Sequence, residues 1–241
     1  MHQNLREIGL NGRVRRAKPL LTDDHIVKCQ DWLEKHCDWQ LEDWKKVWFS
    51  DKSKFNLFGS DGRHYCRRRP GEEYLKRNVK KTVKHGGGSV MVWGCISWKG
   101  TGRLVRIEGI MDRYKYCDIL EDGLLGSLHD QGLRASEIIF QQDSDPKHTA
   151  HFTKGWLRDH GIKTHPWAPQ SADLNIIEHG WEQLDRQIRR RNPLPKNKDE
   201  LWQALKEEWE NIDLERVREL YQSCPRRVQA LADANGAYTK Y

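Results

Sequence analysis

Long apolar runs are missing from this chain of 241 residues. No stretch approaches the roughly 18 consecutive apolar residues that a membrane-spanning helix needs. The first ten residues, MHQNLREIGL, also lack the apolar block of a secretory signal. A soluble, intracellular chain with no membrane partner is therefore expected. C-x-x-C pairs are absent as well. The six cysteines (Cys29, Cys37, Cys66, Cys95, Cys117 and Cys224) are scattered, which argues against a structural zinc site. Without a signal peptide a disulfide framework is equally out of place, so reduced thiols are predicted. No internal repeat and no low-complexity tract is present. Gly86-Gly87-Gly88 is followed by neither the helix nor the Lys-Ser/Thr of a P-loop, so it reads as a flexible turn.

Aromatic side chains and basic charge are plentiful. Apolar residues make up 37% and aromatics 10%, with 11 Trp, enough for one sizeable core and against a disordered chain. Net charge is +7, and the basic residues fall into three knots. These are Arg13, Arg15, Arg16 and Lys18; then Arg67, Arg68 and Arg69; then Arg186, Arg189, Arg190 and Arg191. Such patches suit a polyanion through counterion release, with solvated surface as the plain alternative.

Apolar spacing at Ile26, Cys29, Trp32, Leu33 and Cys37, with Thr22 as a cap, predicts a helix over 23–37. VWFSDKSKFNLF reads as a strand from Val47, with a turn signal GSDG at 59–62. HGGGSVMVWGCISW reads as a turn feeding a second strand, with 103–110 as its hairpin partner. Helices are predicted over 112–131, 148–160, from Ile176 towards Pro193, and over 198–210 and 213–232. Short strands are expected at EIIFQQD and IKTHPW. Strands first, then alternating helix and strand, indicate an α/β fold: a mixed sheet flanked by helices.

The chemistry gathers on carboxylates. Strand alternation puts Ile139, Gln141 and Asp143 on one side, and Asp51 stands in the middle of the aromatic strand. If those strands pair, Asp51 and Asp143 stand side by side, a repulsive arrangement that a hard divalent ion resolves. Glu178, with 34 residues between it and Asp143, is placed to add a third acid. Other readings remain open here. Asn175-Ile176-Ile177-Glu178 matches a capping box, Asp145 begins an Asx-type turn, and Asp51 has Lys52 and Lys54 within reach as partners.

Four segments in order, WFSDKSKF, KHGGGSVMVWGCIS, FQQDSDPKHTA and PQSADLNIIEHGWEQL, resemble the signatures of the mariner superfamily of transposases. The resemblance covers roughly residues 35–241 and is to the branch that includes Sleeping Beauty-type elements. It implies a ribonuclease H-like domain with an Asp-Asp-Glu triad, here Asp51, Asp143 and Glu178, holding two Mg²⁺ or Mn²⁺ ions. Asp51 is expected to bridge both ions. The implied activity is DNA cleavage and strand transfer in cut-and-paste transposition. The alternatives are a catalytically silent, host-adopted DNA-binding protein or a metal-dependent nuclease of the same fold. Implied partners are transposon-end DNA, a TA-containing target and a second copy of the chain, acting in the nucleus.

By the same resemblance, residues 1–20 read as the remnant of a helix-turn-helix region with its basic linker. Residues 21–45 read as a connecting helix and 46–241 as the catalytic domain, with a basic insertion at 63–85. Arg13, Arg15, Arg16, Lys18, Arg67, Arg68, Arg69, Lys147 and His148 are the expected DNA contacts, and Trp167 is a further candidate. Three positions depart from the family pattern: Lys52 where Glu is usual, Ile176 where Pro is usual, and His179 where Asn is usual. Strand alternation predicts that Lys52 points away from Asp51.

Overall fold

The structure, a computed structural model, describes residues 20–58, 68–75, 78, 87–168, 171–239 and 241. Arg13, Arg15, Arg16, Lys18 and Arg67, the turn at 59–62 and most of the 63–85 insertion lie outside those residues.

Helix α1 (Asp23–His36) begins where Thr22 caps it: Thr22 Oγ1 accepts from the His25 amide at 3.3 Å, and His25 Nδ1 accepts from the Thr22 amide. A short turn of helix, α2 (Leu41–Trp44), leads into strand β1 (Val47–Asn56). Strand β2 (Ser89–Ser97) runs antiparallel to β1 and also pairs with the short strands β3 (Gly100–Thr101) and β4 (Val105–Ile107). On the other side of β1 lies β5 (Ile139–Gln141), parallel to it, followed by β6 (Thr164–His165), parallel to β5. The hairpin partner expected at 103–110 is thus β4. The sheet order is β3-β2-β1-β5-β6, with β4 on β2.

The helix predicted over 112–131 is present, but one stretch is wider than an α-helix. Helix α3 (Arg113–Leu120) passes through a π turn (Glu121–Leu125) into α4 (Gly126–Asp130). Gly123 in that turn lies directly over the Trp93 ring, where a Cβ would clash. The helix expected over 148–160 is two pieces, α5 (Pro146–Thr149) and α6 (His151–Asp159), because Ala150 is extended with ψ 147°. Helices α7 (Ile177–Arg190) and α8 (Lys198–Glu210) follow as expected. The segment 213–232 also divides, into α9 (Leu214–Gln222) and α10 (Cys224–Asp233). Pro225 opens α10, where its missing N–H costs no helix bond.

Alternation along β1 sorts the core into two layers. Val47, Phe49 and Phe55 face a core shared with α1, α7, α8, α9 and α10. Trp48, with Phe140 of β5, faces the opposite core under α3, α4 and α6. The sheet is therefore covered on both faces. The segment read as a connecting helix belongs to the first core: Cys29, Trp32 and Leu33 are buried there, and Trp32 Nε1 donates to the Pro166 carbonyl at 2.8 Å. Among the described residues no helix is long and apolar enough to cross a membrane.

The third basic knot is partly structural. Arg189 donates to the carbonyls of Asn56 (2.8 Å) and Leu57 (3.3 Å), tying α7 to the end of β1. Arg191 spans Glu207 and Glu208 of α8. Arg68 pairs with Glu73, an ion pair between exposed groups.

Candidate active site

The β1–β5 ladder ends with Phe49 opposite Gln141. Ser50 locks that end, its Oγ donating to the Gln141 carbonyl at 2.7 Å and its amide to Gln141 Oε1 at 3.2 Å. Gln141 itself is fully buried. Two residues further along each strand come Asp51 and Asp143, on the same side as Phe49 and Gln141. The pairing that would bring those acids together is thus formed, although β5 stops two residues before Asp143.

The third acid arrives from the helix layer. Across the antiparallel ladder Asp51 faces Gly94, and a Cβ there would lie 2.8 Å from the Trp181 ring of α7. The bare glycine lets Trp181 settle against the sheet and stack on Trp209 with ring centroids 4.7 Å apart. Glu178, one helical turn before Trp181, is thereby laid against Asp51. No capping box forms, since the N-cap of α7 is Ile176, which makes no side-chain cap bond. Glu178 is free of that duty.

Asp51 and Glu178 lie within hydrogen-bonding reach of each other, a contact two carboxyls make only by sharing a proton. Burial first, then the charge of Glu178 and that of Asp143, push the Asp51 carboxyl up to about 7. Burial raises Glu178 too. Asp143 goes the other way. Burial works to raise it, but His148 Nδ1 at 2.5 Å and Lys52 Nζ at 3.9 Å outweigh that and hold it below its usual range. The His148 contact is close in distance but oblique for a hydrogen bond. As the side chains stand, no three His, Cys, Asp or Glu groups among the described residues form one coordination sphere.

The loop after β5 is braced from behind. Asp145 caps α5, accepting from the Lys147 amide at 3.1 Å, so the Asx-type reading of that residue holds. Its carboxylate also takes Lys52 Nζ at 2.8 Å and Lys147 Nζ at 3.1 Å. These contacts hold Asp145 well below the normal carboxylate range despite its partial burial. Lys52 was expected to point away from Asp51; its long chain ends on Asp145 and near Asp143. The Asp51–lysine pairing considered from sequence is not made, because both ions of Lys52 lie on the β5 side.

His148 does not fit its expected part in DNA contact. It is 5% exposed and stacked on Tyr116 with centroids 4.0 Å apart. Tyr116 donates to Gln142 Oε1 at 2.8 Å, and Gln142 returns a bond to the His148 carbonyl. Tyr116 was not singled out from the sequence. Its hydroxyl was the signal, since a buried phenol needs a polar partner. Trp167 packs edge-on to Trp32 and Phe49 but is only partly buried, and it lines the groove that opens from Asp143. His179, beside Glu178, has Arg227 Nη2 at 3.3 Å, and burial followed by that guanidinium lowers its pKa.

A groove of about 800 Å³ opens from Asp143, with Lys154, Arg158 and Lys163 along it. A second, of about 460 Å³, runs beside Glu178 past Ser53, Lys54 and Arg186. Asp143 thus lines one open, partly basic groove and Glu178 another.

Residues 46–202 match the family model described as DDE superfamily endonuclease. The Tc1 transposase of Caenorhabditis elegans is 40% identical over the whole chain, which covers 87% of that relative. The Tc3 transposase of the same organism is 30% identical over 94% of the chain and 66% of its own length. Among solved structures, a paired-end complex of Mos1 transposase with its left transposon end superposes with TM-score 0.82. That match has 17% identity and covers 99% of this chain and 70% of that one. The Mos1 catalytic domain alone gives TM-score 0.67 at 14% identity, over 93% of this chain and all of that one. These likenesses establish the ribonuclease H-like fold. On the family match and the Tc1 identity together, the chain belongs to the DDE superfamily endonucleases, as a catalytic domain of the Tc1/mariner transposase group.

Proposed function

We propose that this chain is a transposase catalytic domain that cleaves DNA phosphodiester bonds and joins the freed ends to new DNA, with Asp51, Asp143 and Glu178 as its catalytic acids. The carrying observation is the placement of Asp51: a strand carboxyl whose burial, together with the charges of Glu178 and Asp143, drives it up to about 7. A hard-oxygen donor set of this kind suits Mg²⁺ or Mn²⁺. Solved Mos1 paired-end complexes carry one or the other. Two bound divalent ions supply Lewis acidity at phosphorus and ease deprotonation of a water or 3′-hydroxyl nucleophile.

The protein's own residues supply the frame. Gly94 admits Trp181 and so fixes Glu178 over Asp51. Ser50 and Gln141 fix the strand ends from which Asp51 and Asp143 project. Tyr116, Gln142 and His148 support the turn that carries Asp143. Lys154, Arg158 and Lys163 line a path for a phosphate backbone away from Asp143. The Mos1 relative binds a transposon end, and the same substrate class is proposed here, with a TA-containing target and a homodimer acting in the nucleus. The family resemblance and the net charge of +7 support that wider reading.

A second reading has one observation in its favour. Asp143 faces His148 and Lys52 rather than a shared sphere with Asp51, as a silent DNA-binding descendant would allow. One experiment separates the two. Wild type and Asp143→Asn are incubated with a pre-nicked transposon-end duplex and Mn²⁺, and products are resolved on a denaturing gel. Strand-transfer products from wild type alone support the transposase. Products from neither leave the silent reading, and equal products from both remove Asp143 from the catalytic acids.

A further inference from the structure

Lys52 follows Asp51 on a β-strand, where alternation sends its side chain off the acid face. Its ammonium nevertheless ends 2.8 Å from Asp145 Oδ2 and 3.9 Å from Asp143 Oδ2. Neutralisation alone does not account for it. Asp145 already receives the Lys147 amide and both of its oxygens face the Lys147 ammonium. Asp143 has His148 against its other oxygen. Asp145 therefore faces two ammonium groups and offsets only one of them, and Lys52 is the one shared with Asp143. The Lys52 side chain keeps 29% of its exposure against 16% for Asp145, so the lysine is the more open of the pair to solvent.

We propose that Lys52 is a DNA-binding residue of the site, aimed by Asp145, that contacts a backbone phosphate lying across Asp143 before any metal is bound. The proposal rests on the transposase reading and adds to it. Without metal, Asp51, Asp143 and Glu178 repel a phosphodiester, and a lysine fixed between them and solvent offsets that repulsion. A contact of this kind carries no base information. It positions the strand and makes binding depend on salt.

The test is equilibrium binding of the same nicked duplex in EDTA, by fluorescence anisotropy, over a range of salt. Wild type, Lys52→Gln and Lys52→Arg are compared, with melting curves for each. Lys52→Gln is expected to flatten the log–log salt dependence by about 0.9, the share of one phosphate contact, and to weaken binding several-fold at low salt. Lys52→Arg is expected to restore the wild-type slope. An unchanged slope in Lys52→Gln overturns the proposal and leaves Lys52 as a counter-ion of Asp145. A lowered slope that Lys52→Arg fails to restore, with a lowered melting point in both, also overturns it as a folding effect. Failure of the wild type itself to bind the duplex strikes the transposase reading instead, so the two failures are distinct.

Discussion

The molecule buries two clusters of ionisable groups and treats them in opposite ways. Asp51 lies beside Glu178 and near Asp143, the latter two each lining an open groove, and Asp143 keeps 45% of its side-chain exposure. His36 and His165 sit instead in a box of Trp32, Trp39, Trp44 and Trp167. Trp32 stacks on His36 at 4.1 Å, and the two imidazoles meet edge to face at 4.7 Å. His36 Nδ1 donates to the Trp32 carbonyl, while burial and then the charge of His36 push His165 down to about 3. The histidines shed their charge and become aromatic packing. The acids are held apart from any such settlement by their mutual crowding. A buried ionisable group therefore marks chemistry only when its neighbours share its charge and solvent can reach it.

Breaking the acid cluster should have the largest effect. Asp51→Asn or Glu178→Gln is expected to lower Mn²⁺-dependent cleavage of a transposon-end duplex by about 10³-fold or more, the scale of several kcal/mol of lost transition-state stabilisation. The same Asp51→Asn protein should melt at or above wild type in EDTA at pH 8, because a crowded buried charge is gone.

Breaking the aromatic box should do the reverse. Trp32→Ala is expected to cost about 3–5 kcal/mol of stability, read by urea unfolding, with cleavage per folded molecule largely retained.

The two clusters should also respond to pH with opposite sign. Asp51 has a folded pKa raised to about 7. Its contribution is therefore intact below about pH 4 and is lost as pH rises through 7 in the metal-free protein. His165 has a folded pKa lowered to about 3. Its contribution is intact above about pH 6.5 and is lost as pH falls towards 3, with a limiting slope near 1.4 kcal/mol per pH unit. Melting temperatures in EDTA across pH 4–8 should show both limbs. Asp51→Asn should flatten the alkaline limb and His165→Phe the acidic one, and Mn²⁺ should lift the alkaline limb alone.

The smallest effect is expected at Trp167. Replacement by Phe should leave duplex affinity within about twofold, since a phenyl ring keeps both the packing on Trp32 and Phe49 and an aromatic wall to the groove. A larger loss of affinity at unchanged melting temperature would return Trp167 to the DNA surface.

Much of the frame was legible from pattern. Alternation in VWFSDKSKF and the pairing of EIIFQQ with it placed Asp51 beside Asp143, and helical spacing with Thr22 gave α1. Breaks inside helices were harder to see. Ala150 carries no sequence signal for the extended turn that splits 148–160, and the π turn at Glu121–Leu125 follows from the fit of Gly123 over Trp93, a contact between distant residues. Charge was the least legible property. His148, expected at the DNA, is withdrawn behind Tyr116, and Lys52, expected only to leave the Asp51 face, reaches Asp145 by the length of its chain. Arg189 and Arg191, read as a free basic surface, are spent on carbonyls and glutamates within the fold.

The amino-acid order alone determined which acids could meet, because strand period and helix turn fix the side on which each residue projects. Whether Glu178 actually reaches Asp51 was decided by tertiary packing, through the space that Gly94 leaves for Trp181. Packing likewise decided which cations stand at the rim, since a side chain's reach and a ring's burial depend on neighbours far away in the chain.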